Sequence, residues 1–95
     1  MDDGNRDDSR ALVLDGNAAA GLMVEIFGVE MTASPAECSA CGYTGAIGSL
    51  LAFMHTPGVI LRCPACGGVM LRISVTPGAY YVDARGSASI RFARL

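Results

Sequence analysis

Ninety-five residues suffice for one domain, but a chain of that size buries only about 60 to 65 per cent of its unfolded surface, so its apolar core alone is marginal. The chain has no lysine and a formal net charge of −2, which argues against nonspecific nucleic-acid binding through bulk charge. Although 52 per cent of its residues are hydrophobic, the charge-free interval between Glu37 and Arg62 is broken by Gly42, Gly45, Gly48, His55, Pro57 and Gly58. Its longest apolar run, Leu50 to Met54, is far short of the about 20 residues a membrane helix needs.

Residues 1–11 read as a disordered acidic tail, since Asp2, Asp3, Asp7 and Asp8 have no apolar partners to bury. A sharper alternative folds those aspartates back on the C-terminal arginines, in competition with an acidic ligand. Without an apolar core behind a basic start the tail does not read as a signal peptide, so a cytoplasmic protein is expected. Residues 12–95 read as a single domain. Asp15-Gly16-Asn17 opens a helix over about 17–28, because Asp and Asn side chains accept from the unpaired amides of a first turn. Ala19, Leu22, Met23, Ile26 and Phe27 form its apolar stripe, and Gly28 ends it in a left-handed conformation. The stripe either covers a sheet or presents Leu22, Met23, Ile26 and Phe27 to a partner or a second copy.

Val29 to Glu37 is predicted as an irregular strand bent at Pro35, and Tyr43 to Ile47 leads away from the first cysteine pair. Ser49 to His55 and Gly58 to Cys63 form a hairpin around Thr56-Pro57-Gly58. In the next strand Val69, Leu71, Ile73 and Val75 face inward, and Met70, Arg72, Ser74 and Thr76 outward. Pro77-Gly78 turns the chain into Ala79 to Arg85, and Gly86-Ser87 turns it into Ala88 to Ala93, with Ile90 and Phe92 inward. The expected fold is a small α+β domain: an antiparallel meander of about five to six strands with one N-terminal amphipathic helix.

All four cysteines lie in two CxxCG units, Cys38-Ser39-Ala40-Cys41-Gly42 and Cys63-Pro64-Ala65-Cys66-Gly67, separated by 21 residues. A CxxC turn puts two thiolates on one side of an ion, and four thiolates complete the tetrahedron that zinc prefers. Cys38, Cys41, Cys63 and Cys66 are therefore the candidate ligands of one structural Zn2+, with the knuckles at 38–42 and 63–67. In a reducing compartment such pairs favour metal over disulfides. A filled tetrahedron leaves no position for substrate, and no nucleophile with a base partner, spacing-defined acid/base pair or nucleotide loop stands elsewhere in the chain. The lone histidine, His55, reads as a solvent-facing turn residue. No enzyme activity is expected.

On these two motifs the chain resembles the zinc-ribbon superfamily, in which two CxxC turns at the ends of β-hairpins share one zinc. That resemblance covers about residues 36–72, and the CPxCG form of the second turn is typical. With Leu14-Asp15-Gly16-Asn17 opening a helix and Phe27-Gly28 closing it, nearly the whole chain is similar to a family of short uncharacterised bacterial zinc-ribbon proteins of unknown function. The resemblance implies a fold and no assigned activity. The knuckles also resemble those of rubredoxin, which implies an iron electron carrier. Against iron stand the absent tryptophan, the few aromatics and an insert shorter than that family's.

Three functions follow in order of preference. The first is a protein-interaction or assembly module, because the apolar content exceeds what so short a chain needs to bury. Its interface would be the helix stripe or the last strand, ending at Phe92-Ala93-Arg94-Leu95. The second is nucleic-acid contact through an arginine-bearing sheet face of Arg72, Tyr81, Arg85 and Arg91. The third is the iron carrier.

Overall fold

Asp15 starts the helical segment as its sequence predicts, its carboxylate accepting the Asn17 amide at 3.1 Å. In the computed structural model, which describes residues 13–55 and 58–94, that segment has two parts. Gly16–Ala19 winds as a tight 3-10 turn, and only Ala20–Phe27 is α-helical (α1). Gly16 presses on a second 3-10 turn at Ile47–Ser49 so closely that a Cβ there would lie 1.8 Å from the Ile47 carbonyl oxygen. Gly28 closes α1 at φ 77°, donating its amide to the Val24 carbonyl at 2.8 Å. The predicted tail 1–11, the Thr56-Pro57 turn and the side chain of His55 lie outside the described residues.

The stripe on this helix turns inward. Met23 is 0% exposed and packs in one cluster with Ala19, Leu61, Leu71 and Ile73, while Leu22, Ile26 and Phe27 rest half-buried against it. The partner-helix expectation is corrected for Met23: its side chain completes the chain's own core and has no surface to offer.

Strands β1 Val13–Asp15, β2 Pro35–Cys38, β3 Thr44–Ala46, β4 Leu51–His55, β5 Gly58–Arg62, β6 Val69–Thr76, β7 Ala79–Asp83 and β8 Ser87–Ile90 follow in chain order. They form two antiparallel sheets where the sequence predicts one meander: a five-stranded sheet ordered β1-β4-β5-β6-β7 and a three-stranded sheet ordered β3-β2-β8. The meander holds from β4 to β7. It breaks at residues 84–87, which carry the chain across to β2, so that Ala36 faces Ile90 and Glu37 faces Ser89. The extension predicted from Val29 begins only at Pro35, because the preceding backbone bonds elsewhere. Ser34 donates to Met31, and the Thr32 and Ser34 carbonyls accept from Gly48 and Ile47.

Two inward-outward assignments also change. Met70 is predicted on the wet face but is 0% exposed, because the β5–β6 register shifts between Leu61 and Arg62. Leu71 pairs with Leu61 and Val69 with Arg62, which leaves Met70 as the extra residue of a bulge, buried next to Leu71. Phe92 is predicted inward but lies beyond the end of β8 and stays 47% exposed, its ring tilted against Phe27 at a centroid distance of 6.3 Å. The core lies on the face of the large sheet carrying Ala52, Val59, Leu61, Leu71 and Ile73, where Met23 of α1 packs, and it includes Cys38 and Cys63.

Candidate metal centre

The first CxxCG unit joins β2 to β3 and the second joins β5 to β6, so the two knuckles belong to different sheets. Locally they are near copies. In the first, the Cys38 amide donates to the Tyr43 carbonyl at 2.7 Å and the Gly42 amide to the Cys38 carbonyl at 3.0 Å. In the second, Cys63 donates to Gly68 and Gly67 to Cys63, each at 2.8 Å. Closing such a turn puts the residue after the second cysteine at positive φ, 82° for Gly42 and 79° for Gly67, where a side chain would strain the backbone.

The knuckles bring the four sulfurs together. All lie within 4.8 Å of one another, with Cys38 Sγ 3.7 Å from Cys66 Sγ and Cys41 Sγ 3.7 Å from Cys63 Sγ. A disulfide needs about 2.05 Å, so these are separate thiols. An ion about 2.3 Å from each of four sulfurs at the corners of a tetrahedron separates any two by about 3.8 Å. The cluster fits a tetrahedral metal, and Cys38, Cys41, Cys63 and Cys66 are the residues that could hold it. Cys38 and Cys63 are buried in the core, whereas Cys41 and Cys66 are exposed at its rim.

Backbone amides are aimed at the sulfurs. Ala65 donates to Cys63 Sγ at 3.3 Å and Gly68 to Cys66 Sγ at 3.4 Å. The amides of Cys41 and then Ala40 hold the Cys38 thiol down to about 7, because they favour a thiolate there. At Cys41 the Tyr43 amide pulls the same way, but lost hydration and the sulfurs of Cys63, Cys66 and Cys38 outweigh it and push the thiol up to about 12. Without an ion, four sulfurs this close cannot all ionise; a dication removes that conflict and lets all four bind as thiolates.

A family model matches residues 7–94. The chain belongs to DUF6510, a family of unknown function. No curated protein and no solved structure matches it.

This DUF6510 chain supports its knuckles with residues that their spacing did not mark. The 84–87 connection lies against both. Ser39 donates its amide to the Gly86 carbonyl at 3.0 Å and its hydroxyl to that of Arg85 at 3.3 Å, and the Ser87 hydroxyl donates to the Met70 carbonyl at 2.7 Å. Gly86 sits so near the second knuckle's exit that a Cβ would lie 1.7 Å from the Val69 carbonyl oxygen. Arg62, just before Cys63, donates to the Gly67 carbonyl at 2.9 Å and lies over the Phe53 ring at 5.5 Å. The one legible signal for these residues was position, each lying next to a cysteine or in the Gly86-Ser87 turn.

The predicted arginine face is brought together in part. Arg72, Tyr81 and Arg85 line one shallow groove of about 540 Å³ on the outer face of β6 and β7, with Ser74 and Asp83 between them. Asp83 takes the Arg85 Nε and amide, each at 3.1 Å. The Arg85 amide, with the charges of Arg85 and Arg72, holds this carboxyl below its ordinary range. Arg91 does not join them. Its amide donates to Pro35, and its side chain lines a separate groove with Glu30, Ser34 and Phe92, because the chain has crossed to the other sheet. No helix among the described residues is long and apolar enough to cross a membrane.

Proposed function

We propose that this chain is a non-enzymatic, cytoplasmic binding or assembly module of zinc-ribbon type whose single Zn2+ is structural, and that its partner is another protein or a second copy. One observation carries the reading: four sulfurs within 4.8 Å of one another, two from a knuckle in each sheet. With four chain-derived ligands the ion has no open position for substrate, and its place between the sheets gives it a mechanical role. When bound, zinc supplies four metal–thiolate bonds that pin the β2–β3 hairpin to the β5–β6 hairpin. Iron would occupy the same sulfurs and give a redox centre.

Metal analysis of protein produced with both metals supplied separates these. One zinc per chain in a colourless sample is expected; one iron with a reversible visible absorption change would overturn the structural-zinc reading in favour of the electron carrier. A second reading, nucleic-acid contact, is favoured by the shared groove of Arg72, Tyr81 and Arg85. Its check is fluorescence anisotropy with mixed single- and double-stranded oligonucleotides at low salt. Absence of binding there would end it, because phosphate contacts are strongest at low ionic strength.

A further inference from the structure

Three consecutive large side chains on β7 face solvent: Tyr80 at 41%, Tyr81 at 65% and Val82 at 41% exposure. β7 is also the end strand of the five-stranded sheet, and no strand among the described residues pairs with its outer side. The other edge strands are shorter. β1 and β3 have three residues and β8 has four small or modest ones, Ser87-Ala88-Ser89-Ile90, against five in β7. Edges are ordinarily guarded by charged side chains, proline, a bulge or brevity, and of these the edge Ala79–Asp83 has only the charge of Asp83 at its end.

The direction of its free hydrogen-bonding groups follows from the hairpin. Thr76 faces Ala79 across the two-residue Pro77-Gly78 turn, so this closing pair exchanges both backbone bonds, as do Ser74 with Tyr81 and Arg72 with Asp83. Tyr80 and Val82 therefore point their N–H and C=O groups outward. A strand joining this edge must place its own outward residues opposite these.

We propose that a second copy of this chain pairs antiparallel along the outer edge of β7, centred on Tyr81, so that the two five-stranded sheets continue as one. This rests on the reading of the chain as an interaction module and names its partner. In this register Tyr80 of each copy exchanges both backbone bonds with Val82 of the other, and the two Tyr81 rings meet at the axis on the groove side. Each Asp83 lies diagonal to the other copy's Tyr81 phenol and faces its small Ala79. Other registers fare worse. Centring on Val82 brings the two Asp83 carboxylates into diagonal contact, centring on Asp83 opposes them directly, and centring on Tyr80 runs the pairing into the Pro77-Gly78 turn. On the opposite face, Tyr80 and Val82 of the two copies cover one another and extend the core surface of Ile73 and Val75. The Tyr80 hydroxyl, which donates to Glu25 of α1, holds that ring in place.

The test is the mass of the full-length, zinc-loaded chain by sedimentation equilibrium, with about twice the 9.8 kDa of one chain expected. Val82→Pro removes an outward N–H that β6 does not use and is expected to raise the dimer dissociation constant about tenfold or more, with zinc content unchanged. Tyr81→Cys places two thiols at a non-hydrogen-bonded antiparallel pair, whose Cα separation of about 4.5 Å lies within disulfide range. It should yield a cross-linked dimer under mild oxidation, whereas Ser74→Cys, one strand further in, should not. If Val82→Pro loses its zinc, the cross-link decides. A zinc-loaded chain that stays monomeric, or a dimer indifferent to both changes at β7, overturns the proposal. Metal analysis tests the structural-zinc reading independently: failure of the edge with one zinc bound leaves that reading standing, whereas iron in the site overturns it.

Discussion

The two sheets hold themselves together by different means. The larger has Ala52, Val59, Leu61, Leu71 and Ile73 buried across three adjacent strands, packed under Met23 of α1. The smaller consists of strands of three and four residues whose buried contribution is little more than Ala36, Cys38 and half-buried Ile90. The larger sheet has a core of its own, and the smaller is tied to the rest by Ser39 on the 84–87 turn and, were a metal bound, by the sulfur cluster. Two knuckles of one geometry thus have unequal tasks. On the structural-metal reading the second continues a sheet that already holds, while the first supplies much of what keeps its sheet in place.

The largest expected effect separates these regions. Binding of a structural zinc is worth on the order of 10 kcal/mol in small domains. Stripping the metal with a chelator at neutral pH should abolish amide exchange protection in β2, β3 and β8 and leave measurable protection in β5 and β6. If both sheets lose protection together, they form one cooperative unit and the contrast fails. A smaller effect is expected at the joint. Gly86→Ala would set a Cβ against the Val69 carbonyl, and a backbone neighbour yields less readily than a side-chain tip, so it should destabilise by about 3 kcal/mol. Gly21→Ala in α1 meets nothing within 4 Å and should stabilise by about 0.5–1 kcal/mol. Urea midpoints of the two zinc-loaded variants measure the difference; an equal response would remove the 84–87 joint from the account.

The smallest effect lies on the groove face. Because the Arg85 amide and then its guanidinium favour the charged form of Asp83, the folded carboxyl ionises below its ordinary value of 3.8. The sign follows. Its contribution is complete above the ordinary carboxylate range and is lost as pH falls through the lowered folded value. Asp83→Asn should therefore flatten a shallow acid-side decline in melting temperature and leave the neutral value nearly unchanged. A parallel curve for the variant would show that the Arg85 contact contributes nothing measurable.

Sequence alone determined what depends on neighbours in the chain. The CxxCG spacing contains both knuckles because their hydrogen bonds close within six residues, and Gly42 and Gly67 stand where the turn needs positive φ. Asp15 and Gly28 likewise mark the ends of the helical segment, since capping is a contact between near neighbours. The hairpins from Leu51 to Asp83 were legible for the same reason, and the unbroken β6–β7 register keeps Arg72 and Tyr81 on one face.

Tertiary structure decided everything that depends on distant segments meeting. β8 could extend a meander beside β7 or pair with β2, and no local rule in Ser87-Ala88-Ser89-Ile90 separates these. The choice is made by Gly86, which allows the Val69 backbone to approach, and by Ser39 and Ser87, which hold the turn to both knuckles. That one crossing moved Arg91 away from Arg72 and Arg85, left β7 with no strand on its outer side among the described residues and set the sulfur cluster between two sheets. Met70 escaped the period-two reading for a related reason, since a bulge depends on its partner strand. The sequence named the four sulfurs; only the packing of the two sheets around them decided what a bound metal would hold together.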